Sequence, residues 1–331
     1  MIPTEYDVVG VGNAIVDVIV QTNDSFLQEH GLTKGGMTII DANNAEKLYS
    51  ELGPSIKMSG GSAANTIAGI AVLGGKGVFV GKVCDDQLGK FFRKDIQAIG
   101  VRFFSNSNAK HAPTARSFVF VTPDAERTMQ TFLGACVELG PEDIDSGLIA
   151  HSMVTYLEGY LWDPPLGKKA FVKAAEVAAE FGRKVSLSLS DPFCVDRHRE
   201  ELIDFVKNYV NIIFANEEEI KSLYLVKTFD DALQEIRTDC DIAVLTRGAS
   251  GSVVASGPKT LVLEADPITR VIDTTGAGDA YAAGFLYGYT QGKDLTTCAR
   301  IAGVTAAEII SHYGARPKSN LSKLVKDTLQ T

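Results

Sequence analysis

The chain has 331 residues, of which 45% are hydrophobic and 22% are charged, with 31 glycines and 11 prolines. This length allows one large domain or two smaller ones with a substantial core, and the composition excludes intrinsic disorder. The 41 acidic residues outnumber the 32 basic ones and give a net charge of −9, which disfavours nucleic acid and anionic membranes as partners. A small anionic ligand stays compatible with this charge, because a local site can oppose the overall field.

The five cysteines are scattered along the chain and form no CxxC pair or Cys/His cluster. This pattern argues against a disulfide framework and a zinc site, and it favours a reducing compartment. The first residues, MIPTEYDVVGVG, contain no basic segment followed by an apolar one. Because no run of about 18 apolar residues occurs either, we expect a cytoplasmic protein without a membrane span.

Short apolar segments alternate with longer helical patterns along most of the chain. The segments that predict buried strands are Asp7–Val11, Gly77–Val83, Val154–Leu157, Val185–Leu189, Val210–Ala215 and Ile242–Leu245. The helical patterns are Ser62–Leu73, Leu166–Phe181, Glu217–Leu225, Asp230–Arg237, Gly278–Gln291 and Leu295–His312. This alternation predicts an α/β fold with right-handed crossovers and a mostly parallel sheet covered by helices on both faces.

Two stretches depart from the alternation and predict a second, smaller sheet. Ala14–Val20 and Met37–Ile40 have strand patterns without a full helix between them, and Ala115–Val121 and Arg127–Phe132 flank the hairpin turn TPDAE. We expect these four strands to form a lid beside a ligand cleft. Since no linker or repeat is found, the prediction is a single domain over residues 1–331, with the lid formed by 14–41 and 106–133 as an insertion in it.

Several common site motifs are incomplete or absent. Gly10-Val-Gly12 follows a strand, but Ile15 stands where a dinucleotide-binding fingerprint has its third glycine. No Walker A string and no HRD or DFG motif occurs, and the segment from Gly248 to Gly251 is one residue short of a nucleophile elbow. The sequence therefore disfavours a Rossmann dehydrogenase, a P-loop enzyme, a protein kinase and a hydrolase.

The most informative segment is DTTGAGDAYAAGFLYG, which begins at Asp273. It predicts a tight turn of Gly276, Ala277 and Gly278, followed by Asp279 in the first turn of a helix. Such a turn lets backbone N–H groups converge on an anion, and a carboxylate beside it can take a proton from an attacking hydroxyl. A glycine turn before an acidic helix start, without any ligand, would explain the tripeptide equally well.

This segment resembles the C-terminal signature of the PfkB, or ribokinase-like, family of carbohydrate and nucleoside kinases, a D-T-x-G-A-G-D string followed by small residues. The resemblance implies a doubly wound α/β fold with a small β lid, and a kinase that uses ATP and Mg²⁺. It also implies that Asp279 is the catalytic base, and that Gly276, Ala277 and Gly278 form the anion hole for the transferred phosphate.

A second family signature lies in GGSAANTIAGIAVLGG, from Gly60 to Gly75. Taken by themselves, paired glycines allow close approach of a hydroxyl-rich ligand, and Asn65 can donate and accept hydrogen bonds. A small-residue helix packed tightly on a sheet would fit the pattern as well. The acceptor contacts that the resemblance implies are Asn13, Asp17, Gly60, Gly61, Ser62 and Asn65. Asp17 matches the family's aspartate that binds two ligand hydroxyls, although a charge on an exposed strand face is the alternative.

Two further strings match the nucleotide half of the family pattern. Asn216-Glu-Glu-Glu219 has the spacing of a helix capping box, and in the family an N-x-x-E string helps to organise magnesium and its waters. Thr246, Gly248 and Gly251 match a T-x-G-x-x-G loop that holds the nucleotide phosphates, or else form a hairpin turn. We expect Asn216 to assist nucleotide binding and Glu219 to act on magnesium through water.

Asp273 and Thr275 resemble a loop that binds a monovalent cation in several family members. A need for potassium is left open by this resemblance. The same holds for the oligomeric state, for which both a monomer and a homodimer are compatible with the sequence.

Three segments favour a nucleoside as the acceptor. GGSAANT and LSLSDPF, from Leu187, resemble the adenosine kinases of the family. ERTMQTFLGA, from Glu126, resembles their hairpin whose arginine, here Arg127, reaches the transferred phosphate. Phe118 and Phe120, together with Phe132, are candidate stacking partners of a purine, although strands commonly carry aromatic residues.

The prediction is therefore an ATP-dependent kinase that phosphorylates the 5′-hydroxyl of adenosine to give AMP, a step of purine salvage. Its partners would be ATP and a small acceptor, with no nucleic acid and no membrane. A fructose or ribose kinase of the same family is the first alternative, and a non-catalytic nucleotide- or sugar-binding protein is the second.

Overall fold

The computed structural model describes residues 2–105, 112–124 and 126–330. Its strands are β1 (Tyr6–Val11), β2 (Ile15–Gln21), β3 (Met37–Ile39), β4 (Ile56–Gly60), β5 (Gly77–Val80), β6 (Arg102–Phe104), β7 (Ala115–Val121), β8 (Arg127–Phe132), β9 (Ser152–Glu158), β10 (Lys184–Ser188), β11 (Ile212–Asn216), β12 (Ile242–Thr246), β13 (Ser252–Ser256) and β14 (Lys259–Leu263). Its α-helices are α1 (Asp24–Glu29), α2 (Ala42–Glu51), α3 (Ser62–Leu73), α4 (Gln87–Ala98), α5 (Ser146–Ala150), α6 (Pro165–Glu180), α7 (Pro192–Tyr209), α8 (Glu217–Tyr224), α9 (Phe229–Asp239), α10 (Ala277–Thr290), α11 (Leu295–Ile310) and α12 (Leu321–Gln330). Residues 1, 106–111, 125 and 331 of the predicted domain and lid ranges lie outside the described residues.

The larger sheet has the strand order β14-β13-β12-β11-β10-β9-β1-β5-β6. Neighbouring strands from β12 to β6 are parallel, whereas β13, near one edge, is antiparallel to both β12 and β14. Both faces of this sheet are covered: in β1, Val9 and Val11 belong to one hydrophobic core and Val8 to the other. The predicted α/β fold with a mostly parallel sheet is thus confirmed.

Within the described ranges, the smaller sheet has five strands in the order β3-β8-β7-β2-β4. The four strands predicted from sequence do pair here, with β7 and β8 as an antiparallel hairpin and β2 parallel to β7. The fifth strand, β4, was not predicted, because IKMSG is short and its apolar and polar residues alternate over only four positions before Gly60. It pairs antiparallel with β2, so the small sheet includes residues beyond the ranges 14–41 and 106–133.

The two faces of the small sheet have different surroundings. Phe118 and Phe120 are fully buried on the face that α1 and α2 cover, where their rings meet Tyr49 and Phe26. The predicted stacking of these two rings on a purine is therefore wrong. Phe132, at the end of β8, lies beneath the guanidinium of Arg116 instead. The opposite face of the sheet is the one that is turned towards a cleft.

Small residues bring α10 against two neighbouring helices. A Cβ atom at Gly69 of α3 would lie 2.7 Å from Ala283 of α10, and one at Gly284 would lie 2.7 Å from Ala302 of α11. Larger side chains would push these helices apart. This close packing places the N-terminal ends of α3 and α10 side by side, which decides the geometry described next.

In the described residues, no helix combines the length and the apolar character that a membrane crossing requires.

Candidate active site

A cleft of about 530 Å³ lies between the small sheet and the ends of the large-sheet strands. The predicted site residues that line it are Asp17, Gly61, Ser62, Asn65, Arg127, Asn216, Glu219, Thr246, Gly248, Thr275, Gly276, Ala277, Gly278 and Asp279. Four predicted residues are not among those lining the cleft, namely Asn13, Gly60, Gly251 and Asp273. Segments far apart in sequence, including parts of both signatures, therefore contribute residues to one cleft.

The glycine turn before α10 has a geometry that only glycine can adopt easily. Gly276 caps the helix with φ 78° and ψ 4°, in the left-handed region. A Cβ atom there would also lie 2.6 Å from Cβ of Ala315. Gly278 has open space around its α-carbon, so a ligand can approach the backbone at the positive end of the helix.

Asp279 is held in place by two side chains from α3. Ser62 Oγ donates to Asp279 Oδ1 at 2.6 Å, and Asn65 Nδ2 donates to Asp279 Oδ2 at 3.0 Å. Burial raises the pKa of Asp279 above its ordinary value, while the bonds from Ser62 and Asn65 and the charge of Arg316 act in the opposite direction. The result is an oriented carboxylate at the floor of the cleft, suited to accept a proton.

Asp17, on β2, displays its carboxylate to the cleft. Within the described part of the chain, this carboxylate has no hydrogen-bond partner. Burial in the cleft raises the pKa of Asp17 to about 7, and the charges of Arg316 and Arg127 act in the opposite direction. Gly60 lies behind it, where a Cβ atom would overlap the Asp17 carboxylate. Gly60 thus leaves room for the Asp17 carboxylate and does not itself line the cleft. A carboxylate without internal partners is available to ligand hydroxyls.

Asn13 lies behind the cleft wall and contacts a residue that was not predicted. Its backbone N and its Nδ2 donate to Glu158 Oε1 at 2.8 and 2.6 Å, and Ala63 N donates to Glu158 Oε2 at 2.6 Å. Glu158 is fully buried, and burial raises its pKa to about 7 despite these bonds. This carboxylate therefore joins the end of β1 to the first turn of α3, and a glutamate ending a buried strand pattern was its only sequence signal.

On the other side of the cleft, Asn216 and Glu219 form a reciprocal capping box at the start of α8. Asn216 N and Nδ2 donate to the two carboxylate oxygens of Glu219 at 2.9 and 2.7 Å, and Glu219 N donates to Asn216 Oδ1 at 2.9 Å. Burial raises the pKa of Glu219 to about 7. The capping interpretation of this string is confirmed, and both residues also line the cleft.

The loop from Thr246 to Gly251 joins β12 to β13 in an antiparallel hairpin, with Thr246 opposite Ser252. Thr246 and Gly248 line the cleft. Gly251 does not line it: it has φ 79°, and a Cβ atom there would overlap the carbonyl oxygen of Leu263 on β14. Its glycine is required by the hairpin packing, as the hairpin interpretation of the string predicts.

Arg127 crosses from the small sheet to the loop before α10. Its guanidinium forms an ion pair with Asp273, whose Oδ1 accepts from Thr275 N at 3.0 Å and whose Oδ2 accepts from Gly314 N at 2.9 Å. Asp273 is thereby buried behind the wall, while Arg127 and Thr275 line the cleft. Across the described ranges, no group of three or more His, Cys, Asp or Glu side chains has a metal-binding arrangement.

Several lining residues have no counterpart in the predicted set. Ser190 adopts a left-handed φ of 69°, and its Oγ accepts from Gly159 N at 2.9 Å while its carbonyl accepts from Tyr160 Oη at 3.0 Å. A left-handed serine carries strain, which the surrounding bonds hold in place. Only the LSLSDPF string pointed towards this segment.

The cleft face of the small sheet is apolar next to Asp17. Register places Met58 opposite Asp17, Ile19 opposite Val119 and Val119 opposite Met129, so alternate residues of four strands share this face. These four apolar side chains line the cleft. One side of the cleft thus offers a single open carboxylate beside an apolar wall.

Comparison with known proteins places this arrangement in a family. A family model described as pfkB family carbohydrate kinase matches residues 32–322. The crystal structure of adenosine kinase from Sinorhizobium meliloti has 48% sequence identity and a TM-score of 0.91, covering 98% of this chain and 100% of that one. A probable sugar kinase protein from Rhizobium etli CFN 42 has the same identity and TM-score, with 99% and 100% covered. The adenosine kinase of Saccharomyces cerevisiae is 27% identical over 326 residues, or 92% of this chain and 94% of the yeast protein. The chain therefore belongs to the pfkB family, as its two signatures predicted, and it is an adenosine kinase-like phosphotransferase with an alcohol group as acceptor.

Proposed function

We propose that the protein transfers the γ-phosphoryl group of ATP to the 5′-hydroxyl of adenosine. The observation that carries this choice is the open carboxylate of Asp17 beside the apolar wall of Ile19, Met58, Val119 and Met129. A ribose diol needs a hydrogen-bond acceptor and a purine base needs apolar contact. A free sugar carries hydroxyls over most of its surface and gains little from such a wall.

The acceptor would be held by residues from β2 and α3. Asp17 is a pure acceptor when ionised, and its two oxygens suit the two ribose hydroxyls. Asn65 Oδ1 is buried without a hydrogen-bond partner in the described part of the chain, so a ligand donor would satisfy it. Gly61, with φ 100°, keeps bare backbone at the same place. Asn13 and Gly60 would act behind these residues, through Glu158 and Asp17.

Asp279 would serve as general base. The attacking hydroxyl replaces one of its two donors, Ser62 or Asn65, and gives its proton to the carboxylate. The O5′–P bond forms as the bond from the γ-phosphorus to the bridging oxygen breaks, and ADP leaves on the opposite side. The backbone of Gly276, Ala277 and Gly278 would stabilise the charge on the transferred group.

Arg127 and the small sheet would close the site. The guanidinium of Arg127 already reaches across the cleft to the loop that precedes α10. At this place it would lie near the transferred phosphate and help to neutralise it. We infer that the small sheet acts as a lid on a single catalytic domain, since residues of β2, β4, β7 and β8 line the cleft.

ATP would bind on the side of Thr246 and Gly248. When bound with the nucleotide, Mg²⁺ supplies charge neutralisation of the phosphates. Asn216 and Glu219 fit a role through water, because the capping box already engages both carboxylate oxygens of Glu219. The Asp273 carboxylate does not fit a potassium ion in this arrangement, since Arg127, Thr275 N and Gly314 N are already its partners. We therefore derive no step through potassium.

A sugar kinase is the second candidate, and the 48% identity to a probable sugar kinase protein from Rhizobium etli CFN 42 favours it. The same base and anion hole would serve a sugar hydroxyl. A non-catalytic binding protein is disfavoured by Asp279, because binding alone requires no oriented base at the glycine turn.

A panel of acceptors separates these candidates. Purified protein is supplied with MgATP and, in separate reactions, adenosine, other nucleosides, fructose and ribose, and ADP release is measured. Release that depends on adenosine supports the proposal, and a response to sugars alone overturns it. No release with any member of a wider panel would support the binding protein instead.

A further inference from the structure

The segment after α11 passes directly beneath the glycine turn of the site. Gly314 N donates to Asp273 at 2.9 Å, and Ala315 packs against Gly276 so closely that no side chain fits there. Gly314 and Ala315 line the cleft. The side chain of the next residue, Arg316, extends to the proposed acceptor side. No role for this residue is predicted from the sequence.

The guanidinium of Arg316 bridges two elements that carry the proposed acceptor contacts. Nη1 donates to the carbonyl oxygen of Ala64, in the first turn of α3, at 3.0 Å. Nη2 donates to the carbonyl oxygen and to Oγ of Ser59, on β4, the latter at 3.2 Å. Ser59 immediately precedes Gly60 and Gly61, and Ala64 lies between Ser62 and Asn65. The Arg316 side chain thus connects both flanks of the GGSAAN segment to the loop that follows α11, here called the C-terminal loop.

A planar fork suits this place because it satisfies two carbonyl groups at once, which a lysine cannot do with the same geometry. The charge is also buried, which lowers the pKa of Arg316 to about 10, and Asp17, Asp95 and Asp279 offset that effect. Its Nε has no hydrogen-bond partner in the part of the chain that the structure describes. Helix propensity and packing alone would not require a buried cation here.

We propose that Arg316 is a positioning residue for catalysis: it locks the first turn of α3 against the C-terminal loop, so that Ser62 and Asn65 hold Asp279 for proton transfer. This inference rests on the proposed function in one respect, the role of Asp279 as base. Its structural half, the locking of the GGSAAN segment, holds for any acceptor.

The charge of Arg316 has a second consequence at the base. The titratable groups that face Asp279 are Asp17 on β2, Tyr156 and Glu158 on β9, Tyr160, Glu219 on α8 and Arg316. Of these groups, Arg316 is the cation, and it counters the effect of burial on the pKa of Asp279. Removing its charge would raise that pKa further, so the base would ionise at higher pH and the acid limb of the rate profile would move upwards.

Two substitutions separate geometry from charge. Arg316→Gln removes the charge and keeps one donor, whereas Arg316→Lys keeps the charge and loses the fork. Arg183→Gln is a matched control, since Arg183 also donates to backbone carbonyls, those of Ala150 and Ile2, and none of these three residues lines the cleft.

The first measurement is hydrogen–deuterium exchange of the free enzyme, followed over a peptide that spans residues 56–66. We expect faster exchange of this peptide in both Arg316 variants than in the wild type, and wild-type exchange in Arg183→Gln. If both Arg316 variants exchange at the wild-type rate, the inference that Arg316 holds the GGSAAN segment in place is overturned, whatever the acceptor is.

The second measurement is the pH dependence of kcat/KM with adenosine as acceptor. We expect Arg316→Gln to lower kcat at least about tenfold and to move the acid limb upwards by about one pH unit, which corresponds to one charge at moderate distance. Arg316→Lys should keep the limb near its wild-type pH. If the acid limb of a folded Arg316→Gln variant is not shifted, the inference that the charge of Arg316 lowers the pKa of Asp279 is overturned. If the wild type itself releases no ADP with adenosine, the proposed function fails, while the exchange result still decides the lock.

Discussion

The two sides of the cleft satisfy their polar groups in opposite ways. On the proposed acceptor side, the Asp17 carboxylate and Asn65 Oδ1 have no hydrogen-bond partner in the described residues. On the proposed nucleotide side, Asn216 and Glu219 form three hydrogen bonds with one another. Unsatisfied buried groups cost free energy in the free protein and regain it when a ligand binds. We therefore expect acceptor binding to use the open side chains of the first side, and nucleotide binding to use the backbone shape that capping and glycine set on the second side.

This difference predicts how substitutions on each side behave. A change at Asp17 should weaken ligand binding with little effect on stability, because the Asp17 carboxylate has no internal hydrogen bond to lose in the described residues. A change in the capping box should reduce stability first and affect the ligand indirectly. Asp279 lies between the two sides and belongs to neither class, since Ser62 and Asn65 of α3 donate to its carboxylate while Asp279 itself lies in the first turn of α10, the helix of the proposed anion hole.

The largest effect is expected for Asp279→Asn. Loss of a general base lowers turnover by about 10²- to 10⁴-fold. The fold should persist, because Ser62 can still donate to the amide oxygen and a rotated Asn65 side chain can accept from the amide nitrogen. The measurement is kcat with adenosine and MgATP, with the thermal midpoint as a check on folding. Turnover within a few-fold of the wild type would contradict the assignment of the base.

The next effect concerns stability as a function of pH, and it depends on Glu158. Burial raises the pKa of Glu158 to about 7 in the folded protein, so the folded state binds this proton more tightly than the unfolded chain does. Its stabilising contribution is complete at pH values below the ordinary glutamate pKa and is lost as the pH rises to about 7. Over that interval the loss amounts to at most about 3 kcal/mol.

Glu158→Gln removes this titration and should flatten the decline of unfolding free energy between mildly acidic and neutral pH. Denaturant unfolding at several pH values measures it. Asp17 and Glu219, whose pKa values are also raised to about 7, titrate alike in wild type and variant, so the difference isolates Glu158. Glu200→Gln, on an exposed face of α7, is the control. Equal slopes in wild type and Glu158→Gln would show that the buried carboxyl does not titrate as expected.

Asp17→Asn tests the acceptor side. We expect the KM for adenosine to rise about 10- to 100-fold, the range for losing a charged hydrogen-bonding group, with the KM for ATP almost unchanged. Stability should stay equal or increase slightly, because an unpaired carboxylate leaves the cleft. Steady-state kinetics with each substrate varied in turn measure the split. A parallel rise of both KM values would place Asp17 in the general architecture and not in acceptor binding.

The site features that could be predicted from sequence are those with local backbone requirements. The turn at Gly276 needs a left-handed residue followed by a helix start, and Asn216 with Glu219 is a cap within four residues. Such patterns can be recognised from sequence because the interacting groups are close together in the chain. The alternation of strands and helices likewise predicted the large sheet, since each element carries its own periodicity.

The features that could not be predicted depend on contacts between distant segments. Glu158 meets Asn13 across 145 positions, and Arg316 meets Ser59 across 257. The sequence around Arg316 gives no sign of its contact, and the position of Glu158 at the end of an apolar strand pattern does not identify its partner. The same holds for Phe118 and Phe120, because strand alternation predicts that they share a face but not which face the helices cover. The strand β4 was missed since its pairing with β2, and not its own pattern, defines it.

The smallest effect is expected for Asn216→Ala, the counterpart of Asp17→Asn on the nucleotide side. Loss of this cap should lower the free energy of unfolding by about 1 kcal/mol, because Glu219 N loses its side-chain acceptor and the Glu219 carboxylate loses the Asn216 Nδ2 donor. Backbone N of residue 216 can still donate, so its bond to the Glu219 carboxylate remains available. The KM for adenosine should stay within about twofold, since the variant leaves Asp17 and Asn65 untouched. Urea unfolding and adenosine kinetics on the same preparation provide both numbers. If instead stability were unchanged while the KM for adenosine rose, the contrast between an open acceptor side and a self-satisfied nucleotide side would be wrong, and the two sides would have to be treated as one coupled network.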